Sequence, residues 1–141
     1  EIVQAQLKEL GIELTVNVGA FPAMFSMANA CEHNLVHTGN TDVDPNALDI
    51  VYNSANIGDG WAWTCMKDST IDALLKQGRE TTDPAARIPI YTELQQRILD
   101  EALVIPIRQF VNLIATRSEV HGLRFEPIGF APDMYDVYIQ Q

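Results

Sequence analysis

Cysteine and positive charge are both scarce in this chain. Two cysteines, Cys31 and Cys65, in 141 residues are too few for a disulfide scaffold. They leave two possibilities open: one bridge in an oxidising compartment, or two buried thiols. Lys and Arg total 9 against 19 Asp and Glu, a net charge of −10. That balance argues against a nucleic-acid backbone as partner, because phosphate binding needs a basic face. It also suits anionic lipid poorly.

No apolar run approaches the roughly 20 residues that span a bilayer. No basic segment followed by an apolar stretch marks a secretory signal. G-x-S-x-G, H-E-x-x-H, G-x-G-x-x-G and the P-loop are all missing. A hydrolase with Cys65 as nucleophile therefore has no motif behind it. The many acids nominate no acid/base pair by spacing. No cofactor motif, internal repeat or low-complexity tract is present.

What remains is the composition of one folded domain, with 47 % hydrophobic residues. The chain opens "EIVQAQLKELGIEL", without Met and already in helical rhythm, as a fragment or processed piece would. Val3, Leu7 and Leu10 share a helix face. Gly11 sits where a left-handed cap belongs, and Ile12, Leu14, Val16 and Val18 then alternate with polar residues as in a half-buried strand. Residues 20–32 read as a buried helix with an early Pro22, and 34–39 as a short strand. Residues 45–56 read as a helix with Asp44 as cap and Pro45 at its first position. Residues 57–64 form a Gly/Trp loop.

A helix over 68–78 carries Ile71, Leu74 and Leu75 on one face and stops near Gly78. The longest helical pattern, 81–102, begins at Asp83-Pro84 and has Tyr91, Leu94, Ile98 and Leu99 as its stripe. Pro89 implies a kink or a start near Ile88. The tail is β-rich, with strands expected over 104–107, 110–116 and 120–125.

Four stretches, in this order, resemble a known family. "VQAQLKELGIELTV" is similar to the "iQ-x-x-L-x-x-x-GI-x-v-x-v" opening of the second lobe of family 5 extracellular solute-binding proteins. These are the oligopeptide-, dipeptide- and nickel-binding receptors of ABC importers. "DVDPNAL" resembles "D-x-DP-x-x-fl". "STIDALLKQGRETTDPAARIPIYTELQQRILDEALVIPI" resembles the helical region that follows, through Asp72, Leu74, Leu75, Asp83, Arg87, Tyr91, Gln95, Ile98, Leu99, Ile105 and Pro106. "VHGLRFEPIGF" resembles a closing strand.

The resemblance implies an α/β fold. Residues 1–141 would be a single unit, most of the C-terminal lobe of a type II periplasmic-binding-protein clamshell, with a mixed β-sheet flanked by helices. The N-terminal lobe and any signal or lipid anchor would lie outside the chain. It also implies an extracytoplasmic protein, such as a lipoprotein, with no chemistry of its own and no cofactor. A peptide or other small solute would be held between two lobes and delivered to ABC permease subunits. Contact with the membrane would come only through an anchor or the permease. A sensory α/β domain fused to other modules is the alternative.

In that family a "GW-x-x-D-x-x-DP" segment carries an aspartate that holds a peptide's α-ammonium. Here the segment is "GNTDVDP": Gly39 matches, Asn40 replaces the Trp, and the spacing is shorter. Aligned from Gly39, Asp42 takes the ammonium position; aligned from Asp44-Pro45, Thr41 does. Asp42 reads equally as a turn residue, and Asp44 reads as a helix cap. His37 and Asn40 flank the cleft if Asp42 does, and otherwise read as surface residues. Trp61 and Trp63 alternate, so an extended segment puts both on one side. They suit a cleft wall or, as the plainer reading, the edge of the core.

Cys31, His33 and His37 have ligand chemistry for a metal. In a strand, however, positions 33 and 37 stand roughly 13 Å apart, and no metal site is assigned. His121 lies in a separate strand.

Overall fold

The computed structural model describes residues 1–40, 42–109, 111, 113–125 and 132–140. Five α-helices dominate: α1 (Ile2–Glu9), α2 (Phe21–Asn29), α3 (Ala47–Tyr52), α4 (Ser69–Glu80) and α5 (Pro84–Asp100). A 3-10 turn, Ser54–Asn56, follows α3. Among the described residues four two-residue strands follow: β1 (Val120–His121), β2 (Arg124–Phe125), β3 (Pro132–Asp133) and β4 (Tyr138–Ile139). They form two antiparallel pairs, β1 with β4 and β2 with β3.

The core is a helical hairpin. On α4, Ile71, Leu74, Leu75 and Gly78 recur at helical spacing and are buried. They meet Ile90, Tyr91, Leu94 and Ile98 of α5. The three-residue connection 81–83 makes the helices antiparallel neighbours. Asp68 caps α4, accepting from the Thr70 and Ile71 amides at 2.7 and 3.1 Å. Arg97, near the end of α5, donates to the same carboxylate from Nε and a terminal nitrogen at 3.0 and 2.9 Å. The Asp68 side chain is only 8 % exposed. The Arg97 guanidinium, ahead of the two amide bonds, holds its pKa below the usual carboxylate value. Asp83 caps α5 in the same manner, from Ala85 and Ala86.

Two details, at Leu99 and Pro89, differ from the sequence reading. Helix α4 ends near Gly78 as expected, at Glu80, and Gly78 is also where the Tyr91 ring of α5 lies against α4. A Cβ there would lie 2.7 Å from the Tyr91 ring. Leu99 is not in the stripe: it is exposed, and Ile90, one turn before Leu94, takes the buried place. Pro89 does not set the helix start, because α5 begins at Pro84 and carries Pro89 within it on an exposed face.

The expected strands over 12–18, 34–39 and 104–107 form no ladder among the described residues, nor do those described of 110–116; Phe110 and Asn112 lie outside them. A strand exists only where a neighbour supplies hydrogen-bond partners, and none of the described segments does so here. Most of their apolar side chains are accordingly open to solvent: Val18 is 95 % exposed and Leu113 88 %, while Leu14 and Val36 are half-buried. The 120–125 strand is interrupted at Gly122, whose φ of +81° suits glycine. Gly11 does adopt the left-handed cap, φ +79°, and Ile12 N–H reaches back to the Leu7 carbonyl at 2.9 Å.

Leu94 is fully buried at the centre of the hairpin. Leu94→Ala should cost about 2–5 kcal/mol of stability in denaturant unfolding; a loss below 1 kcal/mol would move the core elsewhere. Asp68 has a depressed pKa, so its contribution is complete above the unfolded-chain value, about 4, and fades as pH falls through the folded value. Asp68→Asn should therefore flatten the acid limb of stability below about pH 4. An unchanged limb would show that the Asp68–Arg97 pair does not set it.

Candidate functional site

The loop before α3 is built from aspartates. Asp42 Oδ1 accepts from the amides of Val43 and Asp44 at 2.7 and 3.1 Å. Asp44 Oδ1 accepts from the Asn46 amide at 2.8 Å. Two such turns in succession are what short carboxylates do when placed two residues from a free amide. The chain then tightens through 3-10-type bonds, Ala47 N–H to Asp44 O and Leu48 N–H to Pro45 O, before α3 begins at Ala47. The helix thus starts two residues after Pro45, and Asp44 caps the turn that leads into it.

Asp44 has a second partner. Arg87, in the first turns of α5, donates to Asp44 Oδ1 at 2.8 Å. The same guanidinium donates from Nε to the Gly78 carbonyl at 3.2 Å and meets the Tyr91 hydroxyl at 3.3 Å. It also lies 5.2 Å from the Tyr91 ring centre. The Asn46 amide first, and Arg87 second, hold the Asp44 pKa below the ordinary carboxylate value.

Further along, Asp49 pairs with Arg79 at 3.2 Å and accepts from Asn53 at 2.8 Å. Asp72 of α4 accepts from both the amide and the hydroxyl of Ser54. Segment 44–54 is thereby fastened to the hairpin at three points.

Asp42 itself is exposed, and its Oδ2 has no partner among the described residues. His37 and Asn40 are also exposed and make no hydrogen bond among those residues. Thr41 lies outside the described residues.

The tryptophans belong to a different cluster. Trp61 and Trp63 stand 4.8 Å apart, and Phe25 packs edge-on against both at 5.5 Å. Phe21 completes the group, 6.1 Å from Trp61. Trp63 is buried at 4 % exposure, its indole N–H donating to Asn29 Oδ1 and the Gly60 carbonyl at 2.9 and 3.0 Å. Trp61 is 40 % exposed and Phe21 55 %. The pair therefore divides: Trp63 serves the core of this cluster, and Trp61 with Phe21 offers aromatic surface.

Cys31 and Cys65 are bridged, which resolves the two possibilities for the cysteines. The bridge ties the end of α2 to the loop that carries both tryptophans. Both cysteines hold positive φ, 57° and 54°, a backbone state that side chains other than glycine seldom adopt. His33 Nε2 lies 2.8 Å from the Trp63 carbonyl and donates to it when that nitrogen carries the proton. The Cys31 sulfur is thus bonded to Cys65 and His33 faces Trp63. Among the described residues no group of three metal-ligating side chains converges.

No hydrogen bond or ring contact among the described residues joins the Asp42 loop to the tryptophan cluster. Two open grooves run along α5, of about 380 and 620 Å³. The first touches Pro45 and Arg87; neither includes Asp42 or Trp61. Sequence reasoning missed the Asp44–Arg87 pair, 43 residues apart, and the part played by Phe21 and Phe25. The phenylalanines had a readable signal in their i, i+4 spacing.

Comparison with models of known protein families finds no match. Individual relatives do match, all from Pseudomonas aeruginosa (strain UCBPP-PA14). The chain is 28 % identical over 133 residues to "Probable di/tripeptide-binding protein 5", covering 92 % of this chain and 25 % of that protein. It is 29 % identical over 136 residues to di/tripeptide-binding protein 4, covering 91 % and 25 %, and 26 % identical to di/tripeptide-binding protein 1. The chain thus spans about a quarter of the length of these relatives. Its fold matches part of HbpA2 from Haemophilus parasuis with a TM-score of 0.78 and 19 % identity, over 99 % of this chain and 28 % of that one.

The fold is that of the matched part of HbpA2, α/β in class. In sequence the chain is similar to di/tripeptide-binding proteins, in keeping with the resemblance its motifs carry. The relatives' names describe binding proteins and not enzymes. Among the described residues no helix is long and apolar enough to cross a membrane.

Closing residues 31 to 65 into a loop makes the bridge worth about 2–4 kcal/mol. Cys31→Ser should lower unfolding stability by that amount and change the tryptophan fluorescence, because the bridge anchors the loop holding Trp61 and Trp63. An unaltered emission spectrum would show that the rings hold their places without it.

Proposed function

We propose that this chain is one ligand-binding lobe of an extracytoplasmic receptor that captures short peptides for an ABC importer. The observation that carries the reading is the loop 37–45. An exposed carboxylate, Asp42, stands there on a turn fixed from below by the Asp44–Arg87 pair. A carboxylate with one oxygen unspent suits an ammonium group, and it holds that group more firmly once a second lobe closes over it and excludes water. Kinship with di/tripeptide-binding proteins supports the choice of ligand. Trp61 and Phe21 supply aromatic surface that suits a neighbouring apolar side chain.

In this reading residues 1–141 form a single lobe. The opposite lobe and the permease are the protein partners, and the ligand leaves chemically unchanged. The net charge of −10 fits a carrier of neutral or cationic solutes.

Asp42→Ala in the intact receptor should weaken binding of a dipeptide with a free amine by more than about tenfold. It should leave the N-acetylated dipeptide nearly unaffected. Calorimetry decides it: equal affinity of wild type and variant for the free-amine peptide would return Asp42 to a plain turn role. The 141-residue chain alone should bind far more weakly than the intact receptor, having half the contacts and no closure.

A further inference from the structure

We propose that Arg87 is a positioning residue for the ligand: through Asp44 it sets the orientation in which Asp42 meets a peptide amine. This rests on the peptide-binding reading of Asp42 and adds to it a residue that touches no ligand.

The geometry is a relay of short contacts. Gly78 lets the Tyr91 ring lie against α4. Tyr91 offers Arg87 its ring face and its hydroxyl, and the Gly78 carbonyl takes the Nε–H. Arg87 is therefore held on several sides before it reaches Asp44 at 2.8 Å. Its side chain is 24 % exposed, whereas Asp44 is 53 % exposed. The rigid partner is the arginine and the loop is what it fixes.

Asp44 in turn presents its amide to Asp42 Oδ1, at 3.1 Å. One Asp42 oxygen is thus anchored to backbone that Arg87 immobilises, and the other is left for a ligand. Arg87 also balances the Asp44 charge. Without it two carboxylates two residues apart would repel each other, and the turn that aims Asp42 would loosen. Lysine cannot reproduce the arrangement, since it lacks the planar fork that binds a carbonyl and a carboxylate together.

The test uses the intact receptor, with dialanine and N-acetyl-dialanine as probes and calorimetry as readout. Arg87→Ala should weaken dialanine about five- to thirtyfold and leave N-acetyl-dialanine within about twofold. Arg87→Lys should recover only part of the loss. In an Asp42→Ala background, Arg87→Ala should cost nothing further. Arg79→Ala, which breaks the comparable Asp49 pair, should leave the ratio between the two probes unchanged.

Equal weakening of both probes would overturn the proposal, because it signals general loosening of the lobe. Full additivity of the two alanine variants would overturn it too. If Asp42→Ala alone leaves dialanine binding intact, the peptide-amine reading beneath it falls. A sensitive Asp42 with an insensitive Arg87 would sink the relay alone.

Discussion

The close approach of Tyr91 to Gly78 organises this molecule. A methyl group at residue 78 would fall 2.7 Å from the ring, so α4 and α5 can lie this near only because glycine leaves room. The contact fixes how the two apolar stripes face each other. It also orients the Tyr91 ring, which carries a polar hydroxyl at its end. That end and the ring face receive Arg87, which reaches out to Asp44. A packing constraint inside the hairpin is thus transmitted as a hydrogen-bonded charge to a surface loop.

Segment 44–54 repeats the same device. Asp44, Asp49 and Ser54 are fastened to Arg87, Arg79 and Asp72, all on the hairpin. Exposed ion pairs of this kind add little to stability individually. Their use here is geometric: together with Leu48 and Tyr52, which pack against the hairpin core, they choose one arrangement of the segment. The aromatic cluster of α2 and residues 57–66 is held by other means, a disulfide and the Trp63 hydrogen bonds. The two parts of the candidate site therefore rest on independent supports, and each can be perturbed without dismantling the other.

The helical half of this fold was legible in the sequence because its signals are local. Asp68 and Asp83 as caps, the Ile71–Leu74–Leu75 face and Gly11 as a left-handed cap all depend on near neighbours. The strands were not, because alternation as in Ile12 to Val18 proposes a strand and only a neighbour can complete one. The site divides similarly. Asp42 and Asp44 announce a turn by themselves. The pairing of Asp44 with Arg87, and the unequal burial of Trp61 and Trp63, arise between distant segments and leave no local trace. The disulfide joins positions 34 residues apart, and a count of two cysteines fits a bridge and a pair of thiols equally.

A crystal structure of the full-length protein with a bound dipeptide tests the proposed ligand assignment most directly. It should show the peptide ammonium within hydrogen-bond distance of the Asp42 carboxylate, with Asp44 still paired to Arg87. A peptide seated with no atom near residues 37–42 would contradict it.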